Sequence, residues 1–582
     1  MFFWSLLLFL FILKTPVLAE KDFNISENIE YLVNSQGSAT VTHQVQIINN
    51  FSQIYPKEYQ IDIQGLPLSD LSATDNQGNI LSVFTTENDV SKIKLKFNEP
   101  KLGKDQVTTF KLSYRIENLA KNKGKTWEIS LPQSIDTSLS KSQIILKVPL
   151  EFGGLSFSSI PSNLVSNSTH QIINFQNNSS KKILVIFGDY QLFNFTLDYY
   201  LKNPSDSPTE SQIAIIPQTY SQSVLYESIS PPPKIVTTDS DGNWLATYQL
   251  QGNEVLEIKA IGQVKTGLNL PSKTDNLSPY LQEQPFWPIS SAEIQDISKT
   301  LNTPRSIYEY VVNNLDYNYN GISSAKRQGA LAALQNPKNS LCTEFTDLFI
   351  AISRAKGIPA REIEGFAYST NPKIKPLNIE NDILHAWPEY YDQNKESWKA
   401  IDPTWAKTTN GINYFDDLDL NHITFVIHGE NSQYPPPPGS YKKPGLAKSV
   451  NIEFASTEII TEGTLPHISI ENKKLIIKND GPNPQNNLQI DIPKLKFSET
   501  LTQILPYSQI SLSLPRLSFW QSLSANNQNI AINLENSSHL TQTINLKYLP
   551  HFINLGTFII ASIVILALSG IIITSKTHEK NS

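Results

Sequence analysis

Short runs of alternating apolar and polar residues, each broken by a turn signal, set the limits on how this chain folds. Ala39-Thr40-Val41-Thr42-His43-Gln44-Val45-Gln46-Ile47 is mostly alternating, as a half-buried strand requires, and Ile93-Lys94-Leu95-Lys96-Phe97 alternates strictly. Asp75-Asn76-Gln77-Gly78-Asn79 reads as a turn. With 36 prolines in 582 residues, short strands and loops are expected rather than long helical bundles. The first 20–200 residues are expected to form an N-terminal β domain of one or two sandwiches. A second β unit follows over 201–275, with a Pro231-Pro232-Pro233 break and a strand at Tyr248–Leu250. Hydrophobic residues make up 39% of the chain and charged residues 17%, which excludes a wholly disordered protein.

Both ends carry apolar segments. Phe2 to Leu13 is an apolar run, and Val17-Leu18-Ala19 before Glu20 fits a secretory cleavage site, so 1–19 reads as a signal peptide. Leu555 to Thr574 holds no charged residue and at ~1.5 Å per residue reaches about 30 Å, the thickness of a bilayer core. A single transmembrane helix over 553–575 is expected. Lys576 and Lys580 then place the tail, 576–582, in the cytoplasm. The bulk of the chain is expected outside the cell membrane.

One cysteine, Cys342, excludes disulfides and Cys-cluster metal sites. In an exported chain a lone thiol is an oxidation liability, either buried and inert or kept for chemistry. The net charge of −7 gives no footprint for nucleic acid. Asp239-Ser240-Asp241-Gly242-Asn243 starts like a calcium loop, but loop position 12 is Leu250, not a bidentate Glu, so it reads as a hairpin turn. No cofactor or metal is expected. Eight N-glycosylation sequons occur (Asn24, Asn50, Asn167, Asn177, Asn178, Asn194, Asn276, Asn536) and need a glycosylating host.

The pattern changes after Pro285, within an α+β domain placed at 276–430. Ser290-Ser291-Ala292-Glu293 reads as a capping box ahead of Ile294, Ile297 and Leu301. Thr303-Pro304 opens a second helix, and Ala330 to Leu334 forms a third. Tyr434-Pro435-Pro436-Pro437-Pro438-Gly439 predicts a stiff linker within 431–448. Strands return over 449–549, as at Ser469-Ile470 and Leu475-Ile476-Ile477, and suggest a β-sandwich stalk.

Cys342 falls at a helix start, with Ser340 as expected N-cap. Phe345, Leu348, Phe349 and Ile352 form a buried stripe, Gly357 suits the C′ position and Pro359 stops the helix. The positive helix end favours a thiolate, and its outward N–H groups suit an oxyanion. His385 lies in Leu384–Tyr391, and Asp402 follows Trp398–Ile401; both runs read as strands. A four-residue loop at Asp392 to Lys395 would pair Tyr391 with Glu396 and set His385 opposite Asp402, within reach of a hydrogen bond. A thiol, an imidazole and a carboxylate in this arrangement make an acyl-transfer triad.

These residues resemble the core of the transglutaminase-like superfamily. The likeness is carried by Cys342, Phe345, Arg354-Ala355-Lys356-Gly357-Ile358-Pro359-Ala360-Arg361, Gly365, His385-Ala386-Trp387 and Ile401-Asp402-Pro403-Thr404. It covers about Asn339 to Trp405. The resemblance implies a papain-like α+β fold with Cys342 as nucleophile, His385 as general base and acid, and Asp402 as orienter. Arg361 and Trp387 match supporting positions. The family often has glycine where Ser340 stands and alanine where Thr346 stands. Pro388 hints at an edge strand. The arrangement of core, β domains and anchor is similar to that of bacterial exported proteins.

The resemblance implies a cysteine acyltransferase or protease acting on protein or peptide amides. An amine acceptor gives a cross-link; water gives deamidation or proteolysis. The alternative is an inactive core held on β-sandwiches as a binding or adhesion scaffold.

Overall fold

The computed structural model describes residues 21–64, 67–87, 90–132, 139–176, 183–321, 326–369, 384–460, 466–472, 474–515, 529–535, 539–545 and 562–569. The chain divides into two compact units. The first comprises residues 1–189 with 409–419, and the second 190–408 with 420–582.

The first unit is all β among its described residues. Its largest sheet has eight strands. At its centre Phe23–Val33 pairs antiparallel with Ala39–Asn49, and parallel with Leu139–Pro149. The alternation predicted at Ala39 is realised, with Val41, Val45 and Ile47 buried and Thr40, Gln44 and Gln46 exposed. Strand Val90–Lys96 buries Ile93 and Leu95 in the same way. Trp127 stacks on Phe152 at 4.1 Å between ring centroids, and Tyr414 from the 409–419 excursion stacks on Phe157 at 5.2 Å.

The second unit begins with Gln191–Lys202, so a strand runs through the boundary expected at 200. It lies between Val255–Thr266 and Val450–Phe454 in a four-stranded sheet. Val450–Phe454 therefore completes this sheet rather than opening a stalk. The Pro-rich segment is not a free spacer either. Pro435, Pro437 and Pro438 are buried, and Tyr441 packs on Tyr199 at 5.7 Å. Asp239–Asn243 is the expected turn, with the Asp239 carboxylate accepting from the N–H groups of Asp241 and Asn243. Beyond 466, two sheets enclose Leu475, Ile477, Leu488 and Ile490, with Ile470 opposite Leu475 in a hairpin.

The α-rich block supplies α1 (Ala292–Thr300), α2 (Pro304–Asn314), α3 (Ala330–Gln335), α4 (Cys342–Ala355) and α5 (Pro403–Thr408). Its sheet is formed by β1 (Ala360–Ala367), β2 (His385–Asp392), β3 (Ser397–Ala400) and β4 (His422–His428), in the antiparallel order β3-β2-β1-β4. The cap of α1 is Ser291 and not Ser290; its hydroxyl accepts from the N–H of Ile294. Thr303 and Ser306 cap α2 reciprocally.

Edge strand β4 is held by side chains. The Gln222 amide donates to the Thr424 carbonyl and accepts from the Thr424 N–H, both at 2.8 Å. Asn243 brackets Ile427 likewise at 2.8 and 2.7 Å, and Asp241 accepts from the N–H groups of Gly429 and Glu430. These side chains satisfy backbone groups that an open edge would leave unpaired.

The expected signal peptide at 1–19 lies outside the described residues. Of 553–575, only 562–569 is described, as a helix exposing Ile563, Val564, Ile565, Leu566 and Leu568. Among the described residues no helix is long and apolar enough to cross a membrane.

Candidate active site

Cys342 is the first residue of α4 and is buried, with 8% of its surface exposed. The N-cap is Leu341 rather than Ser340, whose hydroxyl donates to the Pro337 carbonyl instead. Capping is done by Glu344, three residues on, whose carboxylate accepts from the Leu341 N–H at 2.9 Å and from the Gln328 N–H at 2.8 Å. The stripe Phe345, Leu348, Phe349 and Ile352 is fully buried, which fixes the rotation of α4. Gly357, at φ 85°, ends the helix: its N–H reaches the Arg354 carbonyl and the Ile358 N–H the Ser353 carbonyl.

His385 begins β2 and Asp402 precedes α5. The hairpin register differs from the expected one by two residues: Tyr391 faces Trp398, and Glu389 faces Ala400. The loop is Gln393–Glu396, with Glu396 at φ 48°. Strand β3 stops at Ala400, so His385 has no cross-strand partner there. Asp402 reaches it by another route. One carboxylate oxygen, Oδ1, accepts from the Trp405 N–H at 2.9 Å, and Oδ2 lies 2.8 Å from His385 Nε2.

Cys342 also acts on the imidazole of His385 and adds to the rise of its pKa. With Nε2 donating to Asp402, Nδ1 is the nitrogen left to accept a thiol proton. Burial alone would lower the His385 pKa. The Asp402 charge and hydrogen bond, reinforced by Cys342, outweigh it and raise it to about 9. Burial opposes ionisation of Asp402, yet His385 and a second imidazole hold it well below the usual carboxylate range. The arrangement thus favours the imidazolium that forms when His385 takes the Cys342 proton, which suits general acid–base work on a bound amide.

The second imidazole belongs to His422, the first residue of β4, which sequence reasoning missed. Its Nε2 lies 3.3 Å from the same Asp402 oxygen. The signal was present: Ile423-Thr424-Phe425-Val426-Ile427 is apolar but for one threonine and does not alternate, the mark of a strand buried on both faces. Trp387 and Trp405 pack against both imidazoles, with Trp387 edge-on to His422 at 4.9 Å and Trp405 stacked on His385 at 5.2 Å. Tyr317, bridged to Ser340, is also close. Burial raises its pKa, and the charges of Cys342 and Asp402 add to the rise.

Arg361 does not join this group. It lies four residues along β1 from Gly365, the partner of His385, and both its Nε and Nη2 donate to Glu389 Oε2 at 2.7 Å. Tyr220 donates to the other Glu389 oxygen at 2.7 Å, and the Trp398 ring covers the guanidinium. Pro388 is not at an edge, since β2 lies between β1 and β3. Its carbonyl accepts from the Ile401 N–H, just past the end of β3, so the missing proline N–H interrupts no ladder.

A separate buried chain underlies α4. Arg327 pairs with Asp347 and, at 2.9 Å, with Glu362; His428 lies 3.1 Å from Glu362 and donates to the Pro435 carbonyl. Among the described residues, two groups bring possible metal-ligating atoms within 4.8 Å of one another: His385, Asp402 and His422, and Glu362, Glu364 and His428.

Residues 291–403 match the Transglutaminase-like superfamily. A protein-glutamine gamma-glutamyltransferase of Pseudomonas aeruginosa is 32% identical over 73 residues, 12% of this chain and 11% of that one. The chain thus spans about a tenth of the length of this curated relative. Among solved structures, a provisionally named cysteine protease from Cytophaga hutchinsonii is 19% identical, with TM-score 0.32, covering 48% of this chain and 93% of the other. The periplasmic domain of TgpA from Pseudomonas aeruginosa is 14% identical, with TM-score 0.21, covering 39% and 92%. Residues 291–403 are a transglutaminase-like domain.

Proposed function

We propose that this chain is a membrane-anchored, extracytoplasmic cysteine enzyme that acts on protein or peptide amides through a thioester on Cys342. The observation that carries the reading is the buried His385–Asp402 hydrogen bond, with Cys342 at the N-terminus of α4 close enough to help raise the imidazole pKa. Cys342 gives its proton to His385, and the thiolate attacks the amide carbon. Collapse of the tetrahedral intermediate breaks the C–N bond, and His385 returns the proton to the departing amine. An amine or water then attacks the thioester, His385 takes its proton, and Cys342 leaves as the thiol. A lysine acceptor yields a cross-link; water yields deamidation, or cleavage if the amide was a peptide bond. The match to the superfamily supports this class of chemistry. The apolar runs Phe2–Leu13 and Leu555–Thr574 support export and anchoring.

The test uses the full-length chain and its Cys342→Ala variant, each incubated with glutamine-bearing peptides and a primary amine. Mass spectrometry should find amine adducts, deamidated peptides or cut peptides with the wild type alone. Identical products from both proteins would overturn the assignment of Cys342 as nucleophile.

A further inference from the structure

We propose that His422 is a positioning residue of the Cys342 site: its ring N–H holds Asp402 in place and so fixes the ring of His385. The inference rests on the reading of Cys342 and His385 as a reactive pair. Asp402 Oδ2 has His385 Nε2 at 2.8 Å and His422 Nε2 at 3.3 Å. A carboxylate oxygen only accepts, so both imidazoles present N–H to it. The other oxygen is taken by the Trp405 N–H. Asp402 is therefore pinned from three directions, by β2, α5 and β4. The last of these is held on its far side by Gln222 and Asn243.

A carboxylate with three N–H donors has one orientation, which fixes the ring plane of His385 and leaves its Nδ1 toward the thiol. The titratable groups facing this cluster are Cys342 on α4 and Tyr317 before it. The rings of Trp387 and Trp405 pack against His422.

The test reads the thiol directly and needs no substrate, so it stands even if no amide turnover is found. Cys342 is the chain's one cysteine, and its alkylation by iodoacetamide can be followed from pH 4 to 10 in the full chain. His422→Phe keeps a ring between the tryptophans and removes the donor. Losing one such hydrogen bond should slow alkylation at pH 7 about tenfold. His422→Gln, which restores an N–H donor, should recover most of the rate. An unchanged profile in a His422→Phe protein that melts like wild type would overturn the proposal. So would a His422→Gln variant as slow as His422→Phe, because ring packing would then be the cause. A change in the wild-type profile on adding a chelator would also overturn it, in favour of a bound metal. If the variants do not fold, nitrogen NMR of labelled histidine in the wild type decides: His422 Nε2 should be protonated at neutral pH, and an unprotonated Nε2 defeats the idea.

Discussion

Gly365 stands directly opposite His385 in the core sheet, and no larger residue fits there. A Cβ on Gly365 would meet the Ile423 carbonyl oxygen at 2.0 Å and the Trp387 ring at 2.9 Å. Backbone cannot give way by that much without moving β4, which begins at His422. Gly365→Ala should lower stability by about 1–3 kcal/mol, as overpacked cores do. Thiol reactivity should fall with it. A thermal melt and an alkylation rate on the same sample check both.

Asp402→Asn removes the charge that lifts His385. The imidazole pKa should drop from about 9, because burial is then opposed chiefly by Cys342. Turnover should fall on the order of 10³–10⁴-fold, as in other triads that lose the carboxylate. The stability difference between wild type and variant should also depend on pH. The raised imidazole contributes fully below 6.5 and loses its contribution as the pH passes about 9. The depressed carboxylate contributes above its ordinary 3.8 and loses its contribution in acid. Paired melts from pH 3 to 10 should show the largest gap between about pH 5 and 7.

The buried pair of Arg361 and Glu389 should tolerate joint replacement better than single replacement. Arg361→Met leaves a carboxylate buried with only the Tyr220 hydroxyl to answer it, a loss of about 3–5 kcal/mol. Arg361→Met with Glu389→Leu should regain part of that. Denaturant midpoints for the single and double variants form the necessary cycle.

Glu344 serves as the cap that α4 lacks at Leu341. Glu344→Ala exposes the N–H groups of Leu341 and Gln328 without a partner and should cost about 1–2 kcal/mol. Glu344→Gln keeps an acceptor oxygen and should lose less. Hydrogen exchange at Leu341 and Gln328 would separate the two.

Some of this was legible before any coordinates. The α4 stripe, the Gly357 stop and the order Cys342, His385, Asp402 were readable because helix periodicity and chain order are local properties. The hairpin register was not, since it depends on a loop ending in a left-handed Glu396 rather than on pairing preference. Asp402 still met His385, through a helix start instead of a strand. His422 escaped because a strand buried on both faces does not alternate, so nothing marked the side on which a polar residue would matter. The proline run looked like a spacer because composition does not reveal what rings wait to pack against it. The Arg327, Asp347, Glu362 and His428 chain joins residues a hundred positions apart, a distance over which sequence pattern carries no signal.

The side-chain brackets on β4 bear on what can be inherited or transplanted. The superfamily match ends at 403, before His422, and begins at 291, after Gln222 and Asn243. A recombination event that moved only the matched segment would carry away Cys342, His385 and Asp402 while leaving behind the strand beside them and the amides that hold its edge. Residues that form and brace this site therefore lie beyond the matched segment on both sides.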